Sequence, residues 1–274
     1  MTCIFLCALF ITSRAQSNVA DSLAAQGHTD RALLEYERII FESTDATIHN
    51  AALYKKALLY KNQGRHAEAL KTLERANLFF TQDSLTAQIR EQIALTAYLS
   101  GNYAATHAQL LQIKHFFPTS YEKMHFLHVL ALNNMAEWPQ AKNVYQSYYD
   151  QHPGMALSPD EAYGFIENNK FKDPEKAEKI SYFLPGVGQM YAGYFWKGLI
   201  SSGIQAALIG YGAYGLYQGY FFTGALAGVG LFYAFYTGGA RHAGYLAHKR
   251  NEQLREEYTA PIQEAILEIE NMTK

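Results

Sequence analysis

The sequence predicts an all-α chain in two parts: a helical-repeat solenoid followed by a two-helix transmembrane hairpin. Three observations point to this. A pattern of small and large apolar residues recurs four times between residues 19 and 154. From Gly198 to Ala240 there are 43 residues without an Asp, Glu, Lys or Arg. Fifteen of the 20 glycines fall between Gly186 and Gly244, so the composition changes abruptly along the chain. The 274 residues carry a net charge of −2 and a pI near 6.6, which gives no basic footprint for nucleic acid. The expected division is a signal peptide at 1–15, repeats at 16–158, a linker helix at 159–180, the hairpin domain at 181–250 and a charged C-terminal helix at 251–274.

The start, "MTCIFLCALFITSRAQS", has an apolar run from Cys3 to Ile11 and then Ser13-Arg14-Ala15. That run is shorter than the about 20 residues a bilayer crossing needs. Ser13 and Ala15 are small residues at the −3 and −1 positions of a cleavage before Gln16. Phe5-Leu6 does not offer the small residues that lipid modification of Cys7 requires. Cys3 and Cys7 are the only cysteines, so a chain beginning at Gln16 has no disulfide or thiol chemistry.

In each repeat a turn residue is followed at fixed offsets by a small residue and then two more apolar positions. The four copies are Gly27, Ala32, Tyr36, Ile39; Gly64, Ala69, Leu73, Ala76; Gly101, Thr106, Leu110, Ile113; and Ala136, Ala141, Tyr145, Tyr148. Successive copies are 37, 37 and 35 residues apart. A small residue lets two helices approach, and the large residue four later fills the space on the same face. Ala20, Ala57, Ala94 and Val129 precede the small positions by twelve, where the partner helix also needs a small residue. Glycine ends the first helix cheaply in a left-handed conformation, and Pro118 and Pro153 close the last two second helices. Each pair leaves an apolar face that a neighbouring pair must cover, so three or more stand together.

This pattern resembles the tetratricopeptide repeat, over about Val19 to Gly154, with a longer period than its 34 residues and Thr106 where alanine is usual. The resemblance implies a concave face lined by the first helix of each pair. In the repeat's usual register that face shows Tyr54 and Lys61, Glu91 and Tyr98, and Phe126 and Asn133. Such a mixture of aromatic and polar side chains suits an extended or helical peptide of a partner protein; ordinary solvated helix surface is the alternative at each single position.

No cofactor, metal or catalytic site is expected. His125 and His128 lie three apart on one predicted helix, with His107 and His115 before them, but no carboxylate or cysteine stands at matching spacing, so surface or repeat-interface histidines are expected. "GVGQMYAG" lacks the Gly-Lys-Ser/Thr and the preceding strand of a phosphate loop.

A single helix over the 43 uncharged residues would reach about 65 Å, twice the hydrocarbon thickness of a bilayer. Two crossings are therefore expected, at about Trp196–Tyr217 and Tyr220–Ala240, with a turn at Gln218-Gly219. Trp196, Tyr217, Tyr220, Phe221 and Phe222 would sit at the interfaces. Helices in lipid associate through small residues, a role assigned to Gly203, Ala207 and Gly210, and also Gly215 with Gly219, on the first helix and to Gly224 and Gly228 on the second. Ahead of them, Pro185, Gly186, Gly188, Gln189, Tyr191 and Gly193 form the motif P-G-x-G-Q-x-Y-x-G in a re-entrant or interfacial piece, with Gln189 placed to make a buried hydrogen bond. This motif resembles a family of bacterial membrane hairpin domains of unassigned biochemical role, over about Ala177 to Arg250. The resemblance implies an envelope protein of a Gram-negative bacterium and no particular chemistry.

Lysines before the hairpin and Arg241, Lys249, Arg250 and Arg255 after it place both ends in the cytoplasm by the positive-inside rule, whereas a cleaved signal places both outside. The exported arrangement, with periplasmic repeats, is the expectation adopted. The tail from Leu254 to Ile269 reads as a charged helix broken by Pro261. The function expected is a non-enzymatic, membrane-anchored scaffold: the repeats bind another protein, the hairpin binds the bilayer, and the glycine faces leave room for homo-oligomers. The alternative is a pore or transport component whose hairpins oligomerise while the repeats regulate assembly.

Overall fold

Among the described residues, six helix ends are closed by the same turn. At Gly27, Gly64 and Gly101 the backbone is left-handed (φ +78°, +73° and +76°). In each case the glycine N–H donates to the carbonyl three residues back, and the next N–H to the carbonyl five back. Ala136 makes the fourth copy at φ +61°, and Gly193 and Gly219 the fifth and sixth. Glycine adopts this conformation without the steric cost that a Cβ brings, which is why the turn is visible in sequence.

The computed structural model describes residues 19–78 and 83–272; the expected signal peptide and its cleavage site lie outside the described residues. The described residues are all-helical, without strands. The chain divides into two units, 1–159 and 160–274.

The first unit holds four helix pairs. They are α1 (19–25) with α2 (Thr29–Glu42), α3 (Ala46–Asn62) with α4 (His66–Leu73), α5 (Ser84–Leu99) with α6 (Tyr103–Phe116), and α8 (His125–Asn134) with α9 (Trp138–Gln151). A single turn, α7 (Pro118–Glu122), begins at the proline that follows α6. Asp45, Asp83 and Asn102 cap α3, α5 and α6 by accepting backbone N–H bonds of 2.7–3.3 Å. The small positions Ala32, Ala69, Thr106 and Ala141 are all fully buried, as are Ala20, Ala94 and Val129, with Ala57 nearly so. Thr106 fits where alanine is usual because its hydroxyl donates to the Asn102 carbonyl, 3.1 Å away. Tyr36, Leu73, Leu110 and Tyr145 fill the space beyond, each contributing about 1.5–3 kcal/mol by burial.

In the second unit, residues 159–180 do not form the expected linker helix. They divide into α10 (Pro159–Ala162), a 3₁₀ turn at Gly164–Ile166, and the start of α11 (Pro174–Phe183). Asp173 and Pro174 start α11: the aspartate accepts from the Lys176 N–H at 3.1 Å, and proline occupies the first turn, where its missing N–H is not needed. Next come α12 (Val187–Tyr191), α13 (Phe195–Tyr217), α14 (Phe221–Gly224), a π-helical stretch (Ala225–Leu231) and α15 (Phe232–Met272).

Three expectations need correction. Among the described residues no helix is long and apolar enough to cross a membrane. Glycine, tyrosine, serine and Gln205 dilute α13, and the second limb is divided by the π-helical stretch. That limb also does not stop at Ala240. It continues as α15 through Arg241 to Met272, with Pro261 inside the helix rather than breaking it. The tail is thus no separate element: Asn251 clamps the Lys172 backbone through two bonds of 2.7 Å, and Tyr258 stacks on Phe165 at 4.5 Å.

Candidate functional site: the repeat face and the hairpin core

On the repeat face, the first helices α3, α5 and α8 carry five of the six expected residues at half-buried positions: Tyr54, Lys61, Glu91, Tyr98 and Phe126. Asn133 is 1% exposed and does not reach the face. Its helix buries seven of ten residues and is covered on most sides, unlike α3. Two expected residues bridge neighbouring repeats. Lys61 Nζ donates to Gln92 Oε1 at 2.6 Å, and Asn134 Nδ2 donates to Tyr98 Oη at 3.5 Å. Burial lowers the Lys61 pKa and raises that of Tyr98. Tyr54 packs against the cluster around Ala57, Leu73 and Ile93, while Tyr98 and Phe126 pack against that around Leu110 and Leu127. These rings are therefore partly packed and partly exposed.

Sequence reasoning missed the ion cluster at Glu37. Arg75 donates to both carboxylate oxygens at 2.9 and 3.2 Å, and Lys56 Nζ donates to Oε2. Hydrogen bonds from Arg75, working against burial, and then those from Lys56 hold the carboxyl at about 2. The partners lie 19 and 38 residues away, so no short motif shows them.

The histidines sit within the third and fourth repeats. His128 Nε2 is 2.8 Å from His107 Nδ1, and Tyr121 Oη is 2.6 Å from His128 Nδ1. His125 Nδ1 donates to Gln151 Oε1 at 3.2 Å. Burial, then His107, His125 and Lys114, push the His128 pKa down to about 3, so the ring is neutral at ordinary pH. Among the described residues no group of three or more His, Cys, Asp or Glu is arranged to hold a metal.

In the hairpin core, Gly186 is left-handed (φ +91°) and starts α12. A Cβ on Gly186 would collide with Ser202 Oγ and the Gly198 carbonyl, and one on Gly188 with the Ala177 carbonyl and Ser181 Oγ. Glycine at both positions lets α12 lie directly on α11 and α13. Tyr191 Oη accepts from the Asp173 N–H at 3.2 Å, and Gly193 closes α12. Pro185 presents its carbonyl to Ser202 Oγ at 2.6 Å. Gln189, 1% exposed, joins three elements: it accepts from Ser181 Oγ (3.3 Å) and donates to Ser201 Oγ (3.5 Å) and the Gly239 carbonyl (2.8 Å). Gln205 extends this network by donating to Ser201 Oγ at 3.3 Å.

The helix-packing glycines fall partly elsewhere than expected. Gly224 and Gly228 do meet α13, but a Cβ on Gly203 or Gly210 would have nothing within 4 Å. Their counterpart is Gly212, whose Cβ would stand 2.5 Å from Gly228 Cα, while Gly215 lies beside Gly224 as expected. Helical phase accounts for this. The inward residues of α13 are Gly198, Gln205 and Gly212, seven apart, and a two-residue offset turns Gly203 and Gly210 to the far side.

Residues 51–77, most of α3 with α4 and therefore the second helix pair, match the family model of the tetratricopeptide repeat. No curated protein matches the chain.

Proposed function

We propose that this chain is a non-enzymatic repeat scaffold that binds a partner protein, with its second unit seated in a membrane of the bacterial cell envelope and its repeats on the periplasmic side. The scaffold reading is carried by the repeat itself. The helix pair at residues 51–77 matches a family whose members generally bind other proteins and generally are not enzymes, and three further pairs share its buried small positions. Tyr54, Tyr98 and Phe126 offer half-buried aromatic side chains beside Lys61 and Glu91, a surface suited to an extended or helical segment.

The membrane seat rests on exposed apolar surface. Ile209, Tyr217, Phe221, Phe222 and Val229 are 55–87% exposed, within a run that carries no charge. Water does not tolerate a continuous apolar surface of that extent on a monomer. The paired limbs enter lipid as one packed unit, joined by the Gly212–Gly228 contact and the Gln189 network, so neither limb has to satisfy the requirements of an isolated spanning helix.

A photo-crosslinking residue at Phe126, compared with one at the exposed Leu34 of a second helix, tests the partner face. A discrete protein adduct is expected from position 126 and not from 34. Adducts from 34 alone would move the partner surface away from the first helices.

A further inference from the structure

A groove of about 560 Å³ runs along the second unit between α13 and α15. Ile200 and Ile204 line one side, and Ala234 and Phe235 the other. Gly238 keeps it open: a Cβ there would meet nothing within 4 Å. At one end stand Lys197 and His242, the last cation before the uncharged run and the histidine just after it. Lys197 Nζ rests 4.9 Å from the centre of the Tyr194 ring. No Asp or Glu occurs between Glu178 and Glu252, a stretch that also holds Arg241, Lys249 and Arg250, so the base of the hairpin carries a basic excess, with Glu178 of α11 beside Gly244 as a neighbouring acid.

We propose that this groove binds one anionic phospholipid, its phosphate at Lys197 and His242 and an acyl chain along Ile200, Ile204, Ala234 and Phe235. The proposal rests on the membrane seat argued above and names the lipid that seat selects. The charge pattern excludes other occupants. A second copy docked side by side would bring basic base against basic base. A peptide would need hydrogen-bond partners for its backbone. The polar floor offers mainly Ser201, whose hydroxyl already meets Gln189 and Gln205. An acyl chain needs no partners, and a phosphate complements the lysine.

The full chain is purified in detergent with an equal mixture of phosphatidylglycerol and phosphatidylcholine, and retained lipid is read by native mass spectrometry. Retention of phosphatidylglycerol over phosphatidylcholine is expected. Lys197→Gln lowers that preference about tenfold, the loss of one charge-assisted hydrogen bond. Lys249→Gln removes the same charge outside the groove and leaves the preference in place. Gly238→Leu fills the groove and expels the lipid, while its thermal melt shows the fold intact. Equal retention of both lipids, equal effects of the two lysine variants, or lipid retained by a folded Gly238→Leu chain would each overturn the proposal. Vesicle flotation of the same chain separates the two levels. Flotation without lipid preference overturns the groove alone, and absence of flotation overturns the membrane seat with it.

Discussion

Gly188 and Gly203 are glycines of the same unit, and only one of them is required by its surroundings. Gly188→Ala is expected to destabilise the second unit by more than about 1 kcal/mol, because the added Cβ meets the Ala177 carbonyl and Ser181 Oγ. Gly203→Ala, in open space on a helix, should be neutral or stabilising by up to about 1 kcal/mol. Thermal unfolding of both variants in detergent makes the comparison. Sequence showed how many glycines there are but not which way each faces, since that depends on a helical phase set by Gln205 and the turn at Gly219. Ala136 is the reverse case, a left-handed residue with a Cβ. Ala136→Gly should raise repeat stability by about 0.5–1 kcal/mol in urea titration. His128 gives the repeats an acid sensitivity. Its folded pKa, about 3, lies below the unfolded value near 6.5, so the unfolded chain binds the extra proton between those values. Stability from this group is complete above pH 6.5 and falls by about 1.4 kcal/mol per pH unit well below it. Glu37, at about 2 when folded, adds a loss only below about pH 4.5. His128→Gln should therefore flatten the stability curve between about pH 6.5 and 3, as followed by urea unfolding at each pH.

At the scale of elements, the four helix pairs depend on contacts too close for larger side chains. Ala69 is fully buried opposite Ala57, and Ala69→Leu should cost about 1–3 kcal/mol by overpacking. The reverse exchange at Leu34, exposed on α2, Leu34→Ala, should change little. Equal melting temperatures for Ala69→Leu and the parent chain would contradict the paired-helix account. These elements were legible because the turn residue, the small position and the large position recur at fixed offsets, and each has a steric cause. The ends of the second limb were not legible. The π-helical stretch at Ala225–Leu231 has no turn residue to announce it, and α15 runs on through Pro261, where a break was expected, with Thr259, Ile262 and Ile266 buried on either side of it. The Asn133 misplacement has a related origin: register alone could not show that α8 is covered on most sides.

The whole molecule joins a polar repeat unit to one whose outer surface is aromatic and aliphatic. The change in composition from about Gly186 was visible, and the P-G-x-G-Q-x-Y-x-G stretch was visible as a motif. What it builds was not: Gln189 ties α11, α13 and α15 through residues 8, 12 and 50 positions away, a network no local pattern encodes. Nor did a hydropathy reading of the 43 uncharged residues anticipate limbs that fall short of independent crossings. On the function proposed above, these limbs nonetheless meet lipid as a packed unit while the repeats remain in water. Nitroxide labels test it most directly, placed singly at Ile209 and Val229 on the hairpin and at Leu34 and Phe41 on the repeats, with the full chain in vesicles. All four side chains are 55–90% exposed, so each label stands clear of the protein. The account predicts that Ile209 and Val229 collide freely with oxygen and are shielded from a water-soluble nickel chelate, and that Leu34 and Phe41 show the opposite. Nickel accessibility at Ile209 and Val229 equal to that at Leu34 would contradict it.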